Sequence, residues 1–152
     1  MKTTIERFYG AFSRRDAETM AAQYTDDVRF SDPAFGELEG EHARNMWRML
    51  LSPATDLEVT LAAAGDDHAR WEARYTFSQT GRQVHNIIRA RFQFRDGKIC
   101  RHDDVFDFWR WSRQALGPVG ALLGWAPPLR RSVRAKALKG LHAFEEKRRA
   151  AA

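Results

Sequence analysis

Apolar residues recur along this chain with two different periods. Ile5, Phe8, Tyr9 and Phe12 fall at i, i+3, i+4 and i+7, which is one stripe of a helix. Thr3 and Glu6 ahead of it have the spacing of a capping box. "RRD" breaks the pattern, and Asp16 is placed to cap a second short helix ending near Tyr24. "VRFSD" reads as a short strand from Val28 to Asp32, followed by a Gly-rich turn. Glu41 to Leu51 is again helical, stopped by Ser52-Pro53. From there the period changes to two. Four strands are predicted in "DLEVTLAAA", "HARWEARYTFS", "QVHNIIRARFQF" and "KICRHDDVFDF", with a hairpin at Asp96-Gly97.

The alternation assigns faces. Trp71, Ala73, Tyr75 and Phe77 share one side of their strand. Asn86, Ile88, Ala90, Phe92 and Phe94 share one side of the next, and Cys100, His102, Asp104, Phe106 and Phe108 one side of the last. The opposite faces carry Arg70, Glu72, Arg74, Arg89, Arg91, Arg101 and Asp103. One apolar and one charged face per strand predicts an antiparallel sheet packed on helices, an α+β fold. Beyond it, "WRWSRQALG" is helical and "GPVGALLGWAPP" is apolar and interrupted by Gly and Pro. A last helix carries the stripe Leu129, Val133, Ala137, Leu141, Phe144.

Length bounds the picture: 152 residues suit one domain with a sizeable core. The formal charge of +5 is local. Leu129–Ala152 has eight Lys/Arg and two Asp/Glu, hence +6, while the other residues have 17 basic and 18 acidic, hence −1. No nucleic-acid partner is expected from so confined a charge. Cys100 is the one cysteine, so no intrachain disulfide can form. With a polar start, "MKTTIERFYG", unlike a signal peptide, this points to the cytoplasm.

Asp32 is an odd residue with which to end a buried strand, because a carboxylate is costly to bury. It either holds turn amides or does chemistry. His102 and Asp104 stand two apart on one strand face, about 7 Å between Cα atoms, within reach of a hydrogen bond. Asp32, His102 and Asp104 have no metal-site spacing, so no metal or other cofactor is expected.

The leading segment "FYGAFSRRDAETMAAQYTDDVRFSDP", the late "DGKI" hairpin and the "HDDVFD" ending resemble the NTF2-like superfamily, in its SnoaL-like and ketosteroid-isomerase-like branch. The resemblance implies a cone: a bent antiparallel sheet wrapped around N-terminal helices and an apolar pocket, often dimeric. Residues 1–116 would form this domain. Residues 117–152 would add an apolar segment and a basic helix packed on it or on a partner. Asp32 matches the aspartate that serves ketosteroid isomerases as general base, a family whose carboxyl pKa values are tuned by their surroundings. Phe8 stands where their oxyanion tyrosine belongs, with Tyr9 one step around the helix, and Ala90 where their sheet acid belongs. A steroid isomerase is therefore disfavoured. Asp104 matches the essential last-strand aspartate of SnoaL-type cyclases and limonene-epoxide-hydrolase-type enzymes. Of the Arg-x-Asp pair of the hydrolases, Arg74 offers the arginine without a clear partner acid, and it is predicted to face outward unless a one-residue bulge reverses the face; epoxide hydrolysis is disfavoured.

The resemblance thus implies acid–base catalysis by Asp32, Asp104, His102 and Asn86 on a small apolar carbonyl compound, with Tyr9, Tyr24, Trp47, Trp71 and Phe92 lining the site, without a cofactor. The alternative is a non-catalytic module for a ligand or protein partner. The two acids are expected within about 10 Å, close enough to couple. A homodimer through the charged sheet face is expected, given Ile87 and Val105 within it. The basic tail, with Glu145 and Glu146, is expected on protein rather than on a membrane surface.

Overall fold

The computed structural model describes all residues, Met1–Ala152. The elements in chain order are α1 (Lys2–Ser13), α2 (Ala17–Ala22), β1 (Tyr24–Asp32), β2 (Gly36–Glu39), α3 (Glu41–Leu50), β3 (Glu58–Ala64), β4 (His68–Phe77), β5 (Arg82–Arg95), β6 (Lys98–Val105), α4 (Phe108–Leu116), α5 (Pro118–Leu123) and α6 (Pro127–Ala151). The six strands form one bent, open sheet in the order β2-β1-β6-β5-β4-β3. It is antiparallel except where β1 runs parallel to β6. The parallel pair joins the first strand to the last, a pairing that strand alternation does not encode.

The expected apolar faces are buried. Ala69, Trp71 and Ala73 on β4, Val84, Asn86, Ile88, Ala90 and Phe92 on β5, and His102 and Asp104 on β6 all turn inward. Their core partners are Ile5, Phe8, Tyr9 and Phe12 of α1 and Ala43, Met46 and Trp47 of α3. A second, smaller cluster joins Val84 to Phe108, Trp111 and Ala115, and so fastens α4 across the end of β5.

The differences from the sequence reading have local causes. The Gly-rich stretch after Asp32 is a tight turn at Ala34–Phe35 followed by a strand, β2, too short to show an alternation. β1 begins at Tyr24, four residues before Val28, and a bulge against β6 between Tyr24 and Arg29 absorbs the extra residues. Cys100 is the unpaired residue of a second bulge, where Gln93 pairs with Arg101 and Phe94 with Ile99. It therefore leaves the inner face, which passes from Ile99 to His102. Thr3 lies inside α1 instead of capping it, and Met1 precedes the helix without a side-chain cap. Asp16 does cap α2, accepting from the Thr19 amide at 3.0 Å.

The long C-terminal helix lies on α3. Leu141 is buried there, and the Glu145 carboxylate, 4% exposed, takes His42 Nδ1 at 2.8 Å and donation from Asn45 Nδ2 at 2.9 Å. Between α4 and α6, Gly120 and Gly124 press against Ser112. A side chain at either glycine would collide with it.

Candidate functional site

Two aspartates stand side by side at one end of the inner face. In the parallel β1–β6 register Phe30 is level with His102 and Ser31 with Asp103. One residue further along both strands, Asp32 comes level with Asp104, on strands spaced about 4.8 Å apart. Their surroundings differ.

Asp104 forms the floor. His102, completely buried, gives Nε2 to Asp104 Oδ1 at 2.9 Å, and its Nδ1 meets Tyr24 Oη at 2.8 Å. Trp47 Nε1 donates to the same Tyr24 oxygen at 2.9 Å. An indole N–H can only donate and an ionised carboxylate can only accept, so Tyr24 accepts from Trp47 and Asp104 takes the Nε2 hydrogen. In the neutral imidazole Nδ1 is then the acceptor for the Tyr24 hydroxyl. The relay runs in one direction, Trp47 to Tyr24 to His102 to Asp104. Trp71 Nε1 adds a long 3.4 Å bond to the same carboxylate oxygen. Phe8, Phe30, Trp47 and Phe92 enclose the imidazole, with Trp47 stacked on it at 5.9 Å. His102 is thus locked, and acts on anything outside only through Asp104.

Asp32 lies at the mouth and is half-buried. Its Oδ1 accepts from the Phe35 amide at 2.6 Å and the Ala34 amide at 2.9 Å, an Asx-type turn. Burial nevertheless raises its pKa to about 7, helped by the Asp104 charge and opposed by the two turn amides and by Arg134. Desolvation by surrounding protein outweighs two hydrogen bonds here.

Two tyrosines complete the picture. Tyr75 Oη accepts from Trp111 Nε1 at 2.7 Å, and its pKa is pushed up to about 12, by burial first and by the Asp32 charge. Its own hydroxyl hydrogen has no acceptor in the protein, unlike that of Tyr24. Tyr9 Oη is sealed in the core with no hydrogen-bond partner, and burial and Asp104 hold its pKa well above the ordinary value.

The structure therefore brings Asp32, Asp104 and His102 together at one end. It places Tyr9, Tyr24, Trp47, Trp71 and Phe92 in the aromatic wall behind them. Asn86 is inward and 6% exposed, on β5 opposite Ala73. The wall fills most of the cone. A recess of about 520 Å³ on the surface lies elsewhere, among Glu18, Asp26, Glu41, Arg44 and Arg48. There Arg44 and Arg48 are already paired with the acids, so it is an ion-pair network. No group of His, Cys, Asp and Glu has the arrangement of a metal site. Sequence reasoning did not single out Tyr75, Trp111 or Arg134. Tyr75 was visible only as one more inward residue, and its link to Trp111 exists because α4 folds back across the end of β5, beside β4.

A SnoaL-like domain model matches residues 5–102, well over half of the chain. The chain belongs to the SnoaL-like family. Solved structures agree on the SnoaL-like fold. An LEH-like epoxide hydrolase of M. tuberculosis is 20% identical, with a TM-score of 0.64, covering 80% of this chain and 93% of that one. A candidate polyketide cyclase of Silicibacter sp. TM1040 is 21% identical, TM-score 0.63, covering 74% and 93%. An NTF2-like protein of unknown function from Burkholderia pseudomallei K96243 is 22% identical, TM-score 0.55, covering 69% and 88%. At such identities they speak for the fold alone. The curated proteins contain no match to this SnoaL-like sequence.

Proposed function

We propose that this SnoaL-like protein is a cofactor-independent enzyme that moves a proton within a small apolar carbonyl compound. The observation that carries the reading is Asp32, a half-buried carboxyl with its pKa raised to about 7, poised between base and acid at neutral pH. As carboxylate it takes a proton from the carbon beside the carbonyl, and as acid it returns that proton to another carbon of the resulting enol. The oxygen that gains charge needs a donor. Asn86 and Tyr75 supply candidates on the inner face, in place of the donors missing at Phe8 and Ala90. Asp104, oriented by His102, keeps the Asp32 proton affinity high. Arg74 is exposed on the outer face, and β4 pairs with β5 in unbroken register from His68 to Phe77. No bulge turns that arginine inward, and epoxide hydrolysis by an inward Arg–acid pair finds no support.

A second reading, a non-catalytic binding module, is favoured by two observations: the aromatic wall fills most of the cone, and Asp32 Oδ1 is engaged by the Ala34 and Phe35 amides, as a structural turn cap would be. Proton exchange separates the two. The wild type should wash deuterium from D2O into the α-carbon of a cyclic β,γ-enone, followed by NMR, and Asp32→Asn should lower the rate by about 10² or more. Equal rates in wild type and variant leave the binding reading. The same proposal includes a homodimer through the outer sheet face, where Val105 is 55% exposed. Sedimentation as a monomer at micromolar concentration counts against that part.

A further inference from the structure

The segment between α4 and α6 is built inside out. On a docked helix the apolar residues face the protein. On α5 the glycines do: Gly120 and the following Gly124 lie flush on Ser112, whose hydroxyl bonds the Gly120 carbonyl at 3.3 Å, and Trp109 Nε1 bonds the Ala121 carbonyl at 2.9 Å. The apolar side chains are thereby held outward. Leu122 is 72% exposed, Trp125 67%, Val119 54% and Leu123 49%, with Trp109 at 44% beside them. Single exposed apolar residues are ordinary, but five on one anchored knuckle are not.

The charge along the chain around the knuckle is mostly positive, although the exposed Asp107 caps α4 two residues before Trp109. From Phe108 to Phe144 there is no Asp or Glu, and there are seven Lys/Arg: Arg110, Arg113, Arg130, Arg131, Arg134, Lys136 and Lys139. Arg113 stacks over the Trp109 ring at 5.1 Å and Arg130 over Phe108 at 5.0 Å, so two of these cations are fixed beside the apolar residues. A second copy docking symmetrically here would set this cationic ring against itself. The acids that argued for protein contact are placed elsewhere. Glu145 is buried against His42 and Asn45 of α3, and Glu146 follows it toward the far end of α6.

We infer that the α5 knuckle and its arginine ring form a docking surface for an anionic lipid membrane. The apolar side chains stand out from a single short helix and enter the interface, while the surrounding Arg and Lys meet the headgroups. Trp109 and Trp125 suit the headgroup boundary. No helix is long and apolar enough to cross a membrane, so the contact is peripheral. Arg134 also lies against the turn at Gly36 and acts on Asp32. The membrane contact itself does not depend on the proposed catalysis.

Co-sedimentation of the full chain with vesicles tests it. Vesicles of phosphatidylcholine containing phosphatidylglycerol should bind the protein at least about tenfold more tightly than phosphatidylcholine alone, with binding falling as salt rises. The pair Leu122→Ser and Trp125→Ser, both at exposed positions, should weaken binding by about tenfold or more. Arg130→Gln with Arg131→Gln should do likewise, with unchanged circular dichroism in each case. The inference is overturned by absence of binding to the anionic vesicles, by equal binding to both vesicle types, or by variants that bind as the wild type does. It is overturned equally if the wild type self-associates and the Leu122/Trp125 variant becomes monomeric, since the knuckle is then a protein interface.

Discussion

Asp104 and Asp32 are level on neighbouring strands of one face, yet the floor and the mouth treat them differently. At the floor, a fully buried imidazole fixes the carboxylate, and a tyrosine backed by a tryptophan holds the other ring nitrogen. At the mouth, two backbone amides hold one oxygen and no side chain pairs with the carboxyl, so burial and the neighbouring charge decide the protonation. The comparison teaches that a carboxylate becomes a rigid structural element when its partners are side chains with no alternative. It becomes a titratable device when its environment is dry but incompletely closed.

The largest effect that would break this contrast is at the floor. His102→Ala should cost about 3–5 kcal/mol in chemical denaturation, because it leaves the Tyr24 hydroxyl hydrogen without an acceptor and Asp104 with only the long Trp71 bond, and opens a cavity among aromatics. A loss below about 1 kcal/mol would mean the relay is not what fixes the floor.

The mouth should reveal itself through pH. Asp32 holds its proton to about 7 in the folded chain, against an ordinary value of 3.8. Between these values the folded state binds more protons than the unfolded one, so stability should fall as pH rises from about 4 through 7, and then level off with respect to this group. Asp32→Asn should remove that decline while keeping the fold. Urea titrations across this range check it, and an unchanged slope in the variant would assign the decline to another group.

Smaller effects sharpen the boundary between the two zones. Tyr9→Phe removes a sealed hydroxyl that has no partner, and should stabilise the ligand-free protein by about 1 kcal/mol. A loss of stability would show that the hydroxyl is satisfied in solution. Trp111→Phe removes the bond to Tyr75 and should cost about 1 kcal/mol. That is less than any change at the relay, since Tyr75 lies at the partly open rim.

Much of this architecture was legible in the residues. Strict alternation on β4 and β5 set which side chains face inward, because a strand with one charged face has only one way to be buried. The stripe of Ile5, Phe8, Tyr9 and Phe12 marked the helix face that fills the cone, and "YTDDVRFSDP" with "HDDVFD" pointed to the family. What alternation could not register were the irregularities: the bulge that moves Cys100 off the inner face, the early start of β1 at Tyr24, and the short β2. An inserted residue changes the pairing without leaving a compositional mark.

The sequence by itself determined which residues are apolar, which carry charge, and therefore which face of each element must leave water. It also placed Asp32, His102 and Asp104 on inward positions. Only the tertiary structure decided their roles. The parallel pairing of the first strand with the last brings Asp32 level with Asp104. The approach of α3 puts Trp47 behind Tyr24, whose hydroxyl meets the His102 ring, and the fold-back of α4 places Trp111 on Tyr75. Glycine packing on Ser112 turns the apolar side chains of α5 outward, against the ordinary rule. In each case the deciding interaction joins residues far apart in the chain, and periodicity along the chain cannot carry it.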